Sequence, residues 1–183
     1  MTRVFTGGSR KVARLNDLVR RRLDSVAEKG LTVLVGDANG ADKAIQGYFA
    51  ARDYKRVIVY CMDGLCRNNV GNWEIRPIRG EGAGRGWQYF ARKDLAMAKD
   101  ASCGFMLWDG SSKGTVNNLL NLLQFGKVCL LYTIGDKDFV TVRNASDLRA
   151  VLAKCSPADL AELSARLNLE ARLAGQEELL PLR

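Results

Sequence analysis

Three times in this chain a short apolar run stops at a turn of glycine and small polar residues, and a helical repeat follows. The runs are 4–6, 31–35 and 103–108, and the turns that close them begin at Gly7, Gly36 and Asp109. A strand followed by a helix returns the chain to the end of the sheet from which it started. Neighbouring strands then run parallel, and right-handed crossovers place the helices on both faces. Apolar spacing predicts helices over 11–29 (Val12, Leu15, Leu18, Val19, Leu23, Val26), 41–52, 87–100 and 115–125, with two more strands at 56–60 and 128–132. The expected fold is α/β: a Rossmann-like, doubly wound, mainly parallel sheet with helices on both faces and a C-terminal helical extension.

Two segments stand outside this alternation. Residues 61–86 read as an irregular loop with glycines at 64, 71, 80, 82, 84 and 86, and a loop of that length usually carries function or lacks order. Residues 136–183 read as an edge strand (138–142), a helix (144–153) and a longer amphipathic helix. The last begins at Ser156-Pro157, continues to about residue 174, and packs on the sheet or on a partner subunit. The expected division is therefore a nucleotide-type domain at 1–135 and an extension at 136–183, with homo-oligomerisation through that extension in view.

Composition narrows the chemistry. The 183 residues are 47% hydrophobic and 26% charged, the balance of a globular domain. No apolar run approaches the length of a membrane span, and the first residues run into a strand pattern, so a cytoplasmic protein without a signal peptide or a membrane partner is expected. There is no histidine, which removes Ser-His-Asp and Cys-His catalysis and histidine-ligated metals. Five cysteines (Cys61, Cys66, Cys103, Cys129, Cys155) cannot complete a zinc site without more ligands, so no metal is expected. They read as reduced thiols, with Cys61 and Cys66 as an alternative redox pair. The formal charge of +8 suits a polyanion but equally a solvated basic surface.

The three turns fall at the carboxyl ends of strands, where open parallel sheets bind ligands. In the first, Gly7 and Gly8 let backbone come close, Ser9 donates, and Arg10 meets a phosphate; a plain glycine-rich turn is the alternative. In the second, Gly36, Asp37, Asn39, Gly40 and Asp42 suit ribose hydroxyls or a base, or merely cap the helix. In the third, Gly110, Ser111, Gly114 and Thr115 supply donors at a helix start, and Asp109 and Asn117 reach a sugar. Neither G-x-G-x-x-G at the first turn nor a P-loop anywhere is present, which argues against dinucleotide-fold cofactor chemistry and against ATPase or kinase activity.

The blocks Phe5-Thr6-Gly7-Gly8-Ser9-Arg10, Gly36-Asp37-Ala38-Asn39-Gly40-Ala41-Asp42, Arg92-Lys93-Asp94-Leu95-Ala96-Met97 and Asp109-Gly110-Ser111-Ser112-Lys113-Gly114-Thr115 together resemble the SLOG superfamily. That superfamily includes lonely-guy (lysine-decarboxylase-like) phosphoribohydrolases and DprA-like proteins. The nearest likeness is to small bacterial members with G-S-R, G-x-x-G-A-D and D-G-S-x-G-T motifs. The resemblance spans about residues 4–132 and implies a Rossmann-like domain that binds a nucleotide or a nucleotide-derived ligand, with no further cofactor. In lonely-guy enzymes an Arg-Lys pair and a P-G-G-x-G-T-x-E-E turn carry cleavage of an N-glycosidic bond. Here Arg92-Lys93 stands at the pair and Gly114-Thr115 at the G-T, but Asn117 and Asn118 replace the two glutamates. Oxocarbenium character calls for a carboxylate, and an amide does not supply one.

The leading expectation is a binding module, sensor or regulatory, with a nucleotide held at the three turns. An N-glycosidase or ribosyl transferase is the alternative, with Asp37 or Asp109 as carboxylate, Arg92 orienting phosphate, and Asp42 or Glu81 as further carboxylates. The central loop carries Arg67, Arg76, Arg79 and Arg85, interleaved with Trp73, Trp87 and Tyr89. It reads as a surface excursion pinned by Trp73, as a lid over the nucleotide, or as a groove for single-stranded nucleic acid, the second alternative function.

Overall fold

The computed structural model describes residues 1–80 and 86–177. Glu81 and Arg85 of the central loop therefore lie outside the described residues. One seven-stranded sheet forms the middle layer, in the order β4-β3-β2-β1-β5-β6-β7. Its strands are β1 (Arg3–Gly8), β2 (Thr32–Gly36), β3 (Val57–Met62), β4 (Glu74–Ile78), β5 (Cys103–Trp108), β6 (Cys129–Thr133) and β7 (Asp138–Val142). All neighbours pair parallel except the β6–β7 hairpin. The fold is thus Rossmann-like and doubly wound.

Helices α1 (Asp17–Glu28) and α2 (Ala41–Ala50) cover one face. Leu23, Val26, Ile45 and Phe49 pack there on Val33, Val35, Phe105 and Leu107. The other face carries α3 (Trp87–Asp100) and α4 (Lys113–Gln124), followed by α5 (Ala145–Leu152), α6 (Pro157–Leu167) and α7 (Leu169–Glu177). Met97, Leu119, Leu148, Leu163 and Leu173 bury against Phe5, Leu34, Tyr60 and Met106 in one continuous core. Alternate residues of β5 feed the two cores, as a strand's period of two requires. Among the described residues no helix is long and apolar enough to cross a membrane.

Four sequence expectations need correction. β1 does not stop at Thr6: Gly7 and Gly8 pair with Met106 and Leu107 of β5 and extend it. The first helix starts at Asp17 rather than residue 11 because Asn16 caps it, its Oδ1 accepting from the Val19 amide at 3.0 Å. Val12 and Leu15 are buried from a loop, so their spacing imitated a helical period. The irregular stretch 61–86 contains β4, which pairs with β3 from Ile58 opposite Glu74 to Met62 opposite Ile78. Pro77 disguised this strand, yet a proline is tolerated at a sheet edge. Finally, the long C-terminal helix is two helices, because Asn168 turns left-handed at φ 51° and ends α6.

Candidate functional site

Strand order reverses between β1 and β5. The helices that follow these two strands leave to opposite faces, opening a crevice beyond the strand ends. A cleft of about 500 Å³ occupies it, walled by the first turn, the start of α4 and one face of α3.

The first and third turns are tied together through Asp109. Its Oδ1 accepts from the backbone amides of Ser112 at 2.8 Å and Ser111 at 3.2 Å, and its Oδ2 accepts from Ser9 Oγ at 2.9 Å. Burial works to raise the pKa of Asp109, but the Ser9, Ser112 and Ser111 donors outweigh it and hold it below the usual carboxylate range. Ser112 in turn caps α4, accepting from the Thr115 amide at 3.4 Å. The amides of Lys113 and Gly114, in the first turn of α4, have no acceptor within the helix, and both residues line the cleft.

The second turn locks onto the first. Gly40 has φ +82°, and a Cβ there would lie 2.2 Å from the Arg10 carbonyl oxygen, so only glycine fits. The Ala41 amide donates to the Ser9 carbonyl at 3.1 Å. Asp42, in the first turn of α2, folds back under the strand end, where its Oδ2 accepts from the Ala38 amide at 3.2 Å. A side chain at Gly36 would collide with it, a Cβ there falling 2.4 Å from that oxygen.

Asp42 belongs to a buried ionic cluster. Lys93 of α3 is only 4% exposed and meets Asp94 at 2.8 Å and Asp37 at 3.9 Å. Asp37 also takes a two-pronged grip from Arg67, at 2.6 Å to Oδ1 and 3.0 Å to Oδ2. Burial works to raise the pKa of Asp37, but Arg67 and Lys93 outweigh it and lower it. Burial likewise works to lower the pKa of Lys93, but Asp94, Asp42 and Asp37 outweigh it and raise it. Asp42 goes the other way. Burial, helped by Asp94 and Asp37 and only partly offset by Lys93, pushes it up from 3.8 to about 6. Two cations thus face three carboxylates, and the cluster relieves the excess by holding a proton on Asp42 near pH 6.

The α3 wall adds Trp87 and Phe90, with the Arg67 guanidinium 4.6 Å from the Phe90 ring centre. Arg10 and Lys11 stand at the first turn and Lys113 at the third, the last paired with Glu162 of α6. Asn118 lies one turn beyond Gly114. It is 8% exposed, it lines the cleft, and its Oδ1 has no donor among the described residues.

Of the expected ligand residues, Gly8, Ser9, Arg10, Asp42, Lys93, Asp109, Ser111 and Gly114 line the cleft. The others do not. Asp37 sits behind the wall as the anchor of Arg67. Asn39 accepts from Asn68, and Gly7, Gly36 and Gly40 support the turns from beneath. Gly110 faces a neighbouring chamber. Arg92 is exposed on α3 outside the lining. Thr115 is buried with its hydroxyl on Ser112 Oγ at 3.0 Å. Asn117 turns away altogether: its Oδ1 accepts from Arg172 of α7 at 2.8 Å, in the company of Asn121 at 2.7 Å. One residue along a helix is a rotation of about 100°, which is why Asn118 and not Asn117 reaches the cleft.

Lys11, Phe90, Asp94, Lys113 and Asn118 were not among the expected ligand residues, and Arg67 and Trp87 were expected only as parts of the central loop. The spacing 87, 90, 91, 94 is one helix face and was legible as such. Nothing local signals that Arg67, from the loop after β3, reaches this cleft. Arg67 in that loop and Arg76 on β4 are committed within the fold, the latter to Asp100 at 3.1 Å, and Trp73 pins the loop by donating to the Tyr54 carbonyl at 2.8 Å. Among the described residues no group of three or more acidic or cysteine side chains is placed to hold a metal. No protein-family model matches the chain, and no curated protein matches it significantly.

Proposed function

We propose that the cleft between β1 and β5 binds a nucleotide or a nucleotide-derived ligand, and that the protein acts as a sensor or regulatory module. The observation that carries this reading is the meeting, in one cleft of about 500 Å³, of the open start of α4, the Arg10 side chain of the first turn and an aromatic wall. Amides at a helix start favour an anion, and Arg10 stands beside them, while Lys11 and Lys113 at the rim are shared with Asp109 and Glu162. Trp87 and Phe90 offer flat apolar surface for a base, and the unpaired Asn118 Oδ1 awaits a ligand N–H or O–H. The SLOG-like turns, with their nearest likeness among bacterial proteins, point to the same ligand class.

Binding is favoured over turnover because Asp109, the obvious carboxylate of the third turn, spends both oxygens holding the turns together. A second reading has one observation in its favour. Asp42 lines the cleft with a pKa near 6, so it can exchange a proton at physiological pH and could serve N-glycosidic hydrolysis of a nucleoside phosphate. The nucleic-acid reading loses Arg67 and Arg76 to internal ion pairs.

The test is thermal unfolding against a panel of nucleoside mono- and diphosphates. A ligand at 100 times its Kd adds about 2.7 kcal/mol and raises the melting temperature visibly. A panel without a single shift overturns the binding reading. Release of free base from any member, abolished in Asp42→Asn, would establish the hydrolytic one.

A further inference from the structure

A second chamber of about 460 Å³ adjoins the cleft. It opens between the ends of β5 and β6, the β6–β7 turn and the junction of α5 with α6. Asp109, Ser111 and Asp159 line both spaces, so the two are continuous around the third turn. Resting on the nucleotide reading above, we propose that this chamber is a second subsite. It takes a neutral, ring-bearing group joined through the phosphate, so that the ligand class is a phosphate-linked nucleotide conjugate rather than a mononucleotide.

Four features of the chamber support this. One part of its wall, made by Trp108, Val140, Val151 and Cys155, is apolar and suited to a ring. Its one lining cation, Lys154, is taken by Asp136 at 2.9 Å, and Asp109 and Asp159 leave the lining net acidic, which disfavours an anionic group in the chamber. The start of α6 is also spoken for. Ser156 Oγ and Asp159 bond each other, and that carboxylate repels an anion, so a second phosphate is not the occupant.

The fourth feature is Trp108. It is 3% exposed and lines the chamber, and its Nε1–H is buried with no acceptor among the described residues. A buried donor of this kind calls for an acceptor, and a ring carbonyl or ring nitrogen in the chamber would supply one. Position fits as well. Ser111 divides the two spaces and immediately precedes Ser112, the cap of α4, so a phosphate at that helix start sits at the passage. A nucleoside then extends toward Phe90 and the second group toward Trp108.

The experiment compares adenosine 5′-monophosphate with P1,P2-di(adenosine-5′) diphosphate on the full chain, by calorimetry and by alkylation of cysteines with iodoacetamide. The conjugate is expected to bind about tenfold tighter, equivalent to about 1.4 kcal/mol. It is also expected to slow alkylation of Cys155, which lines the chamber, relative to the half-buried Cys66 and Cys103, whereas the mononucleotide does not. Alkylation is run at alkaline pH because burial pushes the Cys155 thiol up. Val151→Trp, or Cys155→Trp at the less buried position should the first fail to fold, is expected to bring the conjugate's affinity down to that of the mononucleotide. Equal affinities with unaltered Cys155 labelling overturn the second subsite while leaving the nucleotide reading intact. Binding of neither probe overturns both.

Discussion

Asp109 and Asp42 are both carboxylates at strand-end turns facing one cleft, and the fold treats them in opposite ways. Around Asp109 the close donors are neutral, two backbone amides and the Ser9 and Ser111 hydroxyls, with the exposed Lys11 ammonium farther off at 3.9 Å. That environment favours the charged form and makes the residue a bracket between turns. Around Asp42 the partners are charges, with Asp37 and Asp94 crowding it and Lys93 shared among all three, and a single amide donating to it. Burial first, and then the two neighbouring carboxylates, favour the neutral form against the pull of Lys93. A carboxylate in a cleft is thus read from its surroundings: several donors aimed at it make scaffold, and burial with few donors makes a proton-exchanging group.

The largest test of this contrast removes the shared cation. Lys93→Met leaves Asp42 and Asp94 without their buried cation and Asp37 with Arg67 alone, and a cost of about 3–5 kcal/mol is expected in urea unfolding. A loss below about 1 kcal/mol would show that charge does not organise the α2–α3 side.

Next in size is the pH dependence of Asp42. Its folded pKa is raised from 3.8 to about 6, so the folded state holds the extra proton between those values. Stability from this group is full below the lower value and falls as pH rises to about 6, by on the order of 3 kcal/mol. Asp42→Asn is expected to abolish that fall and to be the more stable protein at pH 8. Unfolding midpoints measured from pH 4 to pH 8 decide it, and parallel curves for the two proteins would contradict the contrast.

Asp109 carries the opposite sign. Its folded pKa is lowered, so its contribution is present above 3.8 and lost as pH falls below that value. Asp109→Ala is expected to cost about 1–3 kcal/mol at neutral pH by leaving the Ser9, Ser111 and Ser112 donors unpaired. It should also loosen the start of α4 and so weaken the proposed nucleotide binding. An alanine variant as stable as the parent would remove the bracket from the account. The smallest effect is expected from Ser112→Ala, about 1 kcal/mol from the lost cap of α4, read as a shift in melting temperature.

Much of this was legible beforehand. The helix from Trp87 to Asp100 and the strand from Cys103 to Trp108 stand where periodicity places them, because both are bounded by glycine or small residues and carry clear apolar spacing. β4 was not legible, since an edge strand buries little and Pro77 interrupts its pattern. The same holds within the site. Gly8, Ser9, Arg10 and Gly114 were readable as turn residues, whereas the retreat of Asp37 behind the wall depends on Arg67, thirty residues away.

By itself the sequence determined the alternation of strands and helices, their parallel sheet and the gathering of three turns at its carboxyl edge. Those properties are written in spacings of two to four residues and in caps next to them. Only the tertiary structure decided which turn residues face the cleft. Asp42 and Asn118 face the cleft, while Asp37 and Asn117 are turned to Arg67 and Arg172. A side chain's direction and its charge depend on partners brought from distant segments, and those partners exist only once the chain has packed.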